Sequence, residues 1–330
     1  MLCLERQTKK DVELAWAYDN PEAHGKKLFT VFYTPRYKGT ALIEHEDSRS
    51  LLEDDALMIM TEFSLSKDEY DHLVSHISHN GVSDQDWPTR LKRAYLRISA
   101  AIDEKLKKEI KFDLTEKVYL RPAFDTAKER TNYITSFFGS SGSGKTFALT
   151  SLLINNPSAD YIPRVFLFSA VGHGDPAYEA CEKFFKERFE IVDVKDMKAE
   201  DFDTTGYERG SALIFDDIDS IANKRIRGQL QEFRDNCLER ARHMSQIILC
   251  TAHLFHNRTA TQRLRNSSRF VALFPRSTPK VLLSILDQNH EIGRARRMKL
   301  VRELKRDSRM VWYSKSYPQH LLSEKRIILL

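Results

Sequence analysis

The chain has 330 residues, 41% of them hydrophobic, and its 52 Lys and Arg against 47 Asp and Glu leave a net charge of +5. One or two domains with a sizeable core are expected, and so mild a charge balance does not by itself demand a polyanionic partner. Cys3, Cys181, Cys237 and Cys250 form no C-x-x-C pair, no apolar run approaches membrane-spanning length, and residues 1–10 are charged. A disulfide framework, a zinc knuckle and a signal peptide are therefore not indicated, and a soluble intracellular protein is expected.

Residues 1–112 carry no chemical motif and are expected to form a small N-terminal α+β region of unknown role. Leu28–Tyr33 and Thr40–Ile43 have the composition of short strands around a turn at Pro35–Gly39. Ser66-Lys67-Asp68-Glu69 is a capping box that opens a helix through His79, ended by Asn80-Gly81. Trp87–Lys111 predicts one long amphipathic helix, with Leu91, Tyr95, Ile98, Ile102, Leu106 and Ile110 along one face. His72, His76 and His79 share a helix face, but with no Cys or paired carboxylate nearby a solvated face is favoured over a metal site.

From Lys117 the texture changes. Strands are predicted at Val118–Leu120, Tyr133–Phe138, Arg164–Ser169, Phe189–Val194, Ser211–Phe215, Gln246–Thr251 and Arg269–Phe274, with helices after Gly144 and around Tyr178–Lys186. Further strands are predicted at Met310–Tyr313 and Arg326–Leu330. Strands alternating with helices imply a mostly parallel sheet with helices on both faces, in a domain spanning 113–330.

Two stretches carry chemistry. Gly139-Ser140-Ser141-Gly142-Ser143-Gly144-Lys145-Thr146 fits G-x-x-x-x-G-K-[ST], between an apolar strand and an apolar helix. Its glycines let the backbone N–H groups turn inward around phosphates at a helix N-terminus. Lys145 supplies charge for the β- and γ-phosphates, and the Thr146 hydroxyl is placed to hold Mg²⁺. The second stretch, Ala212-Leu213-Ile214-Phe215-Asp216-Asp217, is an apolar strand ending in two acids. Asp216 would hold Mg²⁺ with Thr146, and Asp217 would take a proton from the attacking water. That second acid favours ATP hydrolysis over nucleotide-kinase chemistry. At the end of the Gln246–Thr251 strand, His253 is the candidate sensor of the γ-phosphate. The fold class expected is thus α/β, a P-loop NTPase of the ASCE/RecA-like kind.

Taken together these residues resemble the genome-packaging ATPases of large DNA viruses, in the FtsK–HerA superfamily. Besides the P-loop, the resemblance rests on Val165-Phe166-Leu167-Phe168-Ser169 followed by Asp175-Pro176-Ala177-Tyr178, on Asp216-Asp217-Ile218, on Arg242-His243, and on Leu264-Arg265-Asn266 ahead of a strand. It covers roughly residues 117–330. His253 stands where that family usually has Gln, and Ala170-Val171 where it has Pro-Thr. The resemblance implies a ring homo-oligomer of five or six subunits, in which a neighbour's arginine stabilises the γ-phosphate charge. Arg240 and Arg242 are the first candidates and Arg265 the third. It also implies action on double-stranded DNA, with capsid or portal proteins as partners, in the host cytoplasm or nucleus or in association with the virion.

Glu291–Arg309 is the densest basic cluster, and Arg294, Arg296, Arg297, Lys299 and Arg302 are its candidate phosphate-backbone contacts, followed by Lys305, Arg306 and Arg309. Lys224, Arg225 and Arg227 form a second patch. The expected function is an ATP-driven duplex-DNA translocase that packages a viral genome. Two alternatives stay open: another FtsK–HerA-type motor, serving conjugation, plasmid transfer or filamentous-phage assembly, and a nucleotide switch or scaffold acting through its N-terminal region.

Overall fold

The computed structural model describes residues 2–4, 6, 11–18, 27–33, 52–78, 87–105, 109–111, 119–123, 133–156, 158–169, 175–194, 197, 202–253, 255, 261–288 and 294–330. In chain order the elements are β1 (Leu2–Cys3), β2 (Val12–Tyr18), β3 (Lys27–Tyr33), α1 (Glu53–Glu62), α2 (Lys67–Ser78), α3 (Thr89–Lys105), β4 (Glu109–Lys111), β5 (Tyr119–Pro122) and β6 (Tyr133–Phe138). Then come α4 (Lys145–Ile154), β7 (Val165–Ser169), α5 (Pro176–Phe185), β8 (Phe189–Asp193), β9 (Ala212–Asp216), α6 (Lys224–Met244), β10 (Ile247–Ala252), α7 (Gln262–Ser267) and β11 (Phe270–Leu273). The chain closes with α8 (Pro279–Gln288), α9 (Arg294–Asp307), β12 (Val311–Ser314), β13 (His320–Ser323) and β14 (Arg326–Leu329).

A ten-stranded sheet in the order β4-β14-β13-β12-β11-β6-β10-β9-β7-β8 forms the body. From β11 to β8 neighbouring strands run parallel; from β11 outward to β4 they are antiparallel. The parallel strands are apolar runs because both faces are covered. Alternate side chains divide between two cores. Tyr133, Phe137, Leu167, Ile214 and Leu249 pack with α4 and α5 on one face. Ile134, Phe138, Phe168, Phe215 and Ile248 pack with α6, α8 and α9 on the other. The fold is therefore mixed α/β with a large, mostly parallel sheet and helices on both faces.

A second, four-stranded sheet has the order β1-β3-β2-β5 and is antiparallel. Its Leu14, Ala15, Ala17, Val31 and Leu120 join the same core as α4. Helices α1 to α3 keep a separate core of Leu52, Ile59, Leu73, Ile98 and Ile102. The capping box forms as expected: the Ser66 N–H donates to Glu69 Oε2 at 2.9 Å and the Glu69 N–H donates to Ser66 Oγ at 3.1 Å. His72 and His76 stack at a centroid distance of 6.1 Å beside Trp87, so the expected solvated face carries an aromatic cluster. No group of His, Cys, Asp and Glu that could hold a metal occurs among the described residues.

The long helix expected over Trp87–Lys111 is corrected. It is described as far as Lys105, and Glu109–Lys111 forms β4 instead of a last helical turn, with Ile110 opposite Ile327. The strand expected at Val118–Leu120 is present as β5 but belongs to the N-terminal sheet. The strand and turn expected at Pro35–Ile43, the stop at Asn80-Gly81, and His79 lie outside the described residues. No described helix is long and apolar enough to cross a membrane.

Candidate functional site: a phosphate loop facing a twin-aspartate strand tip

Strands β6, β10 and β9 are parallel neighbours in register, with Cys250 level with both Ser136 and Phe215. Their C-terminal ends therefore share one sheet edge, the usual place for a ligand in an open α/β sheet. Gly139, His253 and Asp216-Asp217 emerge side by side there.

The loop after β6 turns through Gly142 (φ 71°) and Gly144 (φ 98°), the left-handed region where glycine avoids a Cβ clash. Gly139 is needed for closeness: a Cβ on it would lie 2.5 Å from Ser143 Oγ and 2.8 Å from the Phe274 ring. Gly144 precedes α4, whose first turn is Lys145, Thr146 and Phe147. Lys145 is 5% exposed. Its Nζ donates to the Gly139 carbonyl at 3.2 Å and to the Ser140 carbonyl at 3.4 Å, and lies 3.6 Å from Asp217 Oδ2. His253 bridges the same pair, with Nδ1 3.4 Å from Lys145 Nζ and Nε2 3.3 Å from Asp217 Oδ2. An imidazole protonated on Nε2 satisfies both contacts, accepting from the ammonium and donating to the carboxylate.

The acids are held by a residue that the sequence reading passed over. The Asp217 N–H donates to Thr251 Oγ1 at 2.8 Å, and Thr251 Oγ1 donates to Asp216 Oδ1 at 2.7 Å. Asp217 Oδ1 is also within 3.1 Å of that hydroxyl. A hydroxyl carries one proton, so the shorter contact to Asp216 is the favoured donation. A hydroxyl residue closing an apolar strand next to the twin acids was the available signal. Asp217 itself is in left-handed backbone at φ 46°, a strained setting for a non-glycine residue that turns its side chain towards the loop.

Asp216 is 4% exposed, and burial pushes its carboxyl above the ordinary range; the Thr251 bond and Lys145 work in the other direction. The buried Tyr178 phenol faces it and is pushed far up by burial and then by the Asp216 charge, so it stays neutral. Tyr178 is delivered by α5, which Asp175 caps by accepting the Ala177 N–H at 2.9 Å, with Pro176 in the first turn. A desolvated carboxylate with this donor set fits a divalent cation, whose charge would compensate its burial.

The remaining expected site residues are distributed as follows. Ser140, Ser141 and Gly142 are exposed on the loop, and Ser143 and Thr146 are half-buried. Arg240 donates to Thr204 Oγ1, and Arg242 is exposed. Both lie near the end of the 21-residue α6, whose last residue, Met244, accepts from Gly210 beside the start of β9. They are thus at the sheet edge opposite their own phosphate loop. Arg265 lies with its guanidinium 5.0 Å from the Phe255 ring.

The basic cluster divides once folded. Arg294, Lys299, Arg302, Lys305 and Arg306 are exposed on α9. Arg296 donates to Ser99 Oγ at 3.2 Å, and Arg297 is ion-paired with Asp287. Arg309 leaves the cluster altogether, donating from Nε to the Ser143 carbonyl at 3.2 Å. In the second patch Lys224 and Arg225 are exposed, while Arg227 donates to the Ile221 carbonyl at 3.3 Å.

The fold and this edge define a P-loop NTPase type of architecture. No protein-family model matches the chain. "Uncharacterized protein V3" of Sputnik virophage is 28% identical over 131 residues, which is 39% of this chain and 52% of that protein. The chain thus spans about half the length of the curated relative it matches. Among solved structures, the genome-packaging NTPase B204 from Sulfolobus turreted icosahedral virus 2, bound to ATP-gammaS, aligns at 14% identity and TM-score 0.36, over 60% of this chain and 98% of its own. The KaiC-like protein PH0186 from Pyrococcus horikoshii OT3 aligns at 18% identity and TM-score 0.31, over 44% of this chain and 71% of its own. At such scores these likenesses carry no weight in reading the site, which stands on this chain's own geometry.

Proposed function

We propose that the chain is an ATPase whose hydrolysis drives movement along double-stranded DNA, in the service of viral genome packaging. The observation that carries the catalytic half is the convergence of Lys145 and Asp217 at 3.6 Å, from elements 72 residues apart by number, around one strand edge with a buried carboxylate beside it. The loop amides of 139–146 bind the triphosphate, and Lys145 moves from its resting carbonyl and carboxylate partners onto the β- and γ-phosphates. Thr146 and Asp216 would hold Mg²⁺, which when bound neutralises phosphate charge. Asp217 accepts the proton as water oxygen attacks the γ-phosphorus; the bond to the β-phosphate oxygen breaks and ADP leaves. His253, already between Lys145 and Asp217, is positioned to follow the γ-phosphate.

The DNA half rests on the exposed basic side of α9, Arg294, Lys299, Arg302, Lys305 and Arg306, which suits sequence-independent phosphate contact. In a ring of five or six subunits Arg240 or Arg242, at the far sheet edge, would have to serve a neighbour's site rather than their own. The test is ATP turnover with and without linear duplex DNA, repeated on Arg302→Ala/Lys305→Ala/Arg306→Ala. A motor speeds up several-fold with DNA and the triple variant loses that gain. Slow turnover indifferent to DNA would instead favour a nucleotide switch.

A further inference from the structure

A cavity of about 240 Å³ opens beside the phosphate loop. One wall is the outer side of α4 at Phe147 and Ser151, reached directly from Gly144. A second wall is Phe274 after β11 and Trp312 in β12. The third is β5, including Tyr119 and Arg121, which belongs to the N-terminal sheet through its pairing with β2. Phe147 is 61% exposed, so its ring is open to an incoming ligand on this wall.

Sheet order fixes the direction in which a nucleotide would lie. Asp217 hangs from β9, two strands to one side of β6, so the γ-phosphate end points there. The cavity is walled from β11 and β12, on the opposite side of β6. A triphosphate laid across the N-terminus of α4 with its γ end at Asp217 therefore turns its other end into this cavity. Arg309 stands at the junction: Nε holds the Ser143 carbonyl at 3.2 Å, and the guanidinium lies 3.2–3.5 Å from where a Cβ on Gly144 would be.

We infer that this cavity holds the purine base and ribose of the bound nucleotide, with Arg309 as the cation at its mouth, and that β5 makes the N-terminal sheet a wall of the nucleotide site. The inference rests on the ATPase reading above. At about 240 Å³ the volume lies below the range of roughly 300–1,000 Å³ usual for small-molecule pockets, which limits the occupant to one flat ring system and its sugar. The aromatic walls suit stacking. The consequence is that nucleotide state is felt by β5 and, through β2, by the sheet whose role the sequence left open.

The test uses the full chain and calorimetric titration with Mg-ATP and, separately, Mg-tripolyphosphate, which lacks a nucleoside. Wild type should bind ATP at least tenfold more tightly than tripolyphosphate. Ser151→Trp, which fills the cavity without touching the loop, should lose that preference and keep tripolyphosphate affinity. Should that variant fail to fold, Tyr119→Ala on the N-terminal strand should weaken ATP about fivefold and leave tripolyphosphate unchanged. Equal wild-type affinity for the two ligands, or full ATP preference in a folded variant, would overturn the base pocket while the phosphate loop stands. Wild type binding neither ligand would remove the ATPase reading and this inference together.

Discussion

Replacing Thr251 with Val removes one oxygen and leaves the shape of the side chain nearly unchanged. That oxygen accepts the Asp217 N–H at 2.8 Å and donates to Asp216 at 2.7 Å. Asp216 is already desolvated, and the Thr251 bond is the leading influence that opposes its burial. Leaving a buried acceptor without its donor costs about 1–3 kcal/mol. Taking about 2 kcal/mol and roughly 1.5 °C per kcal/mol for a chain of this size, Thr251→Val should melt about 3 °C below wild type. Losing the anchor of the Asp217 backbone also frees the acid from its left-handed setting, so turnover should fall at least about tenfold, less than the roughly hundredfold or more of a lost general base. ATP affinity, set by the loop, should change little. Thr251→Ser keeps the hydroxyl and should recover most of the turnover. Differential scanning calorimetry with a steady-state phosphate-release assay reads both quantities. A Thr251→Val protein that melts within about 1 °C of wild type and hydrolyses ATP normally refutes the role given to this hydroxyl.

Two further predictions concern titrating groups. Because burial raises the Asp216 pKa, its charged form destabilises the nucleotide-free fold, a penalty absent at low pH that grows as pH rises through the window between the ordinary and raised values. Asp216→Asn should therefore melt higher than wild type at pH 7.5 without nucleotide, yet gain less stability from Mg-ATP than wild type does; a lower melting point without nucleotide would contradict this. His320, 3% exposed between β12 and β14, donates from Nδ1 to the Pro318 carbonyl at 2.8 Å, and burial lowers its pKa from 6.5 to about 4. A histidine held neutral in this way gives its full stability above pH 6.5 and loses it as pH falls towards 4, by on the order of 3 kcal/mol. His320→Gln should lose correspondingly less stability than wild type between pH 7 and about 4.5 in urea unfolding; identical losses would show that other groups govern the acid limb.

The parallel strands were legible because a strand covered on both faces is a short apolar run, as in Val165–Ser169 and Ala212–Phe215. The phosphate loop and the twin acids were legible because their chemistry needs those residue types at that spacing. The end of α3 was not. Leu106 and Ile110 continue the helical spacing of Ile98 and Ile102, and only pairing with β14 turns Ile110 into a strand residue. Strand β5 was placed beside the P-loop domain by sequence order, whereas its partner, β2, lies about a hundred residues earlier. The basic cluster shows the limit of counting charges. Nothing in its sequence separates Arg302, which is exposed, from Arg297, which pairs with Asp287, or from Arg309, which holds the phosphate loop. Likewise His253 and Thr251 stand two residues apart on one strand end. Which of them anchors the acids depends on the register between β10 and β9.

The central claim is that the loop at 139–146 and the acids of β9 serve one magnesium–triphosphate, with Asp217 as the base. Its most direct measurement is single-turnover hydrolysis of Mg-ATP by Asp217→Asn, with ATP affinity determined on the same preparation. Binding should stay within about threefold of wild type and hydrolysis should slow at least about a hundredfold, the scale of a lost general base. Hydrolysis at the wild-type rate, or loss of ATP binding in the folded variant, would contradict it.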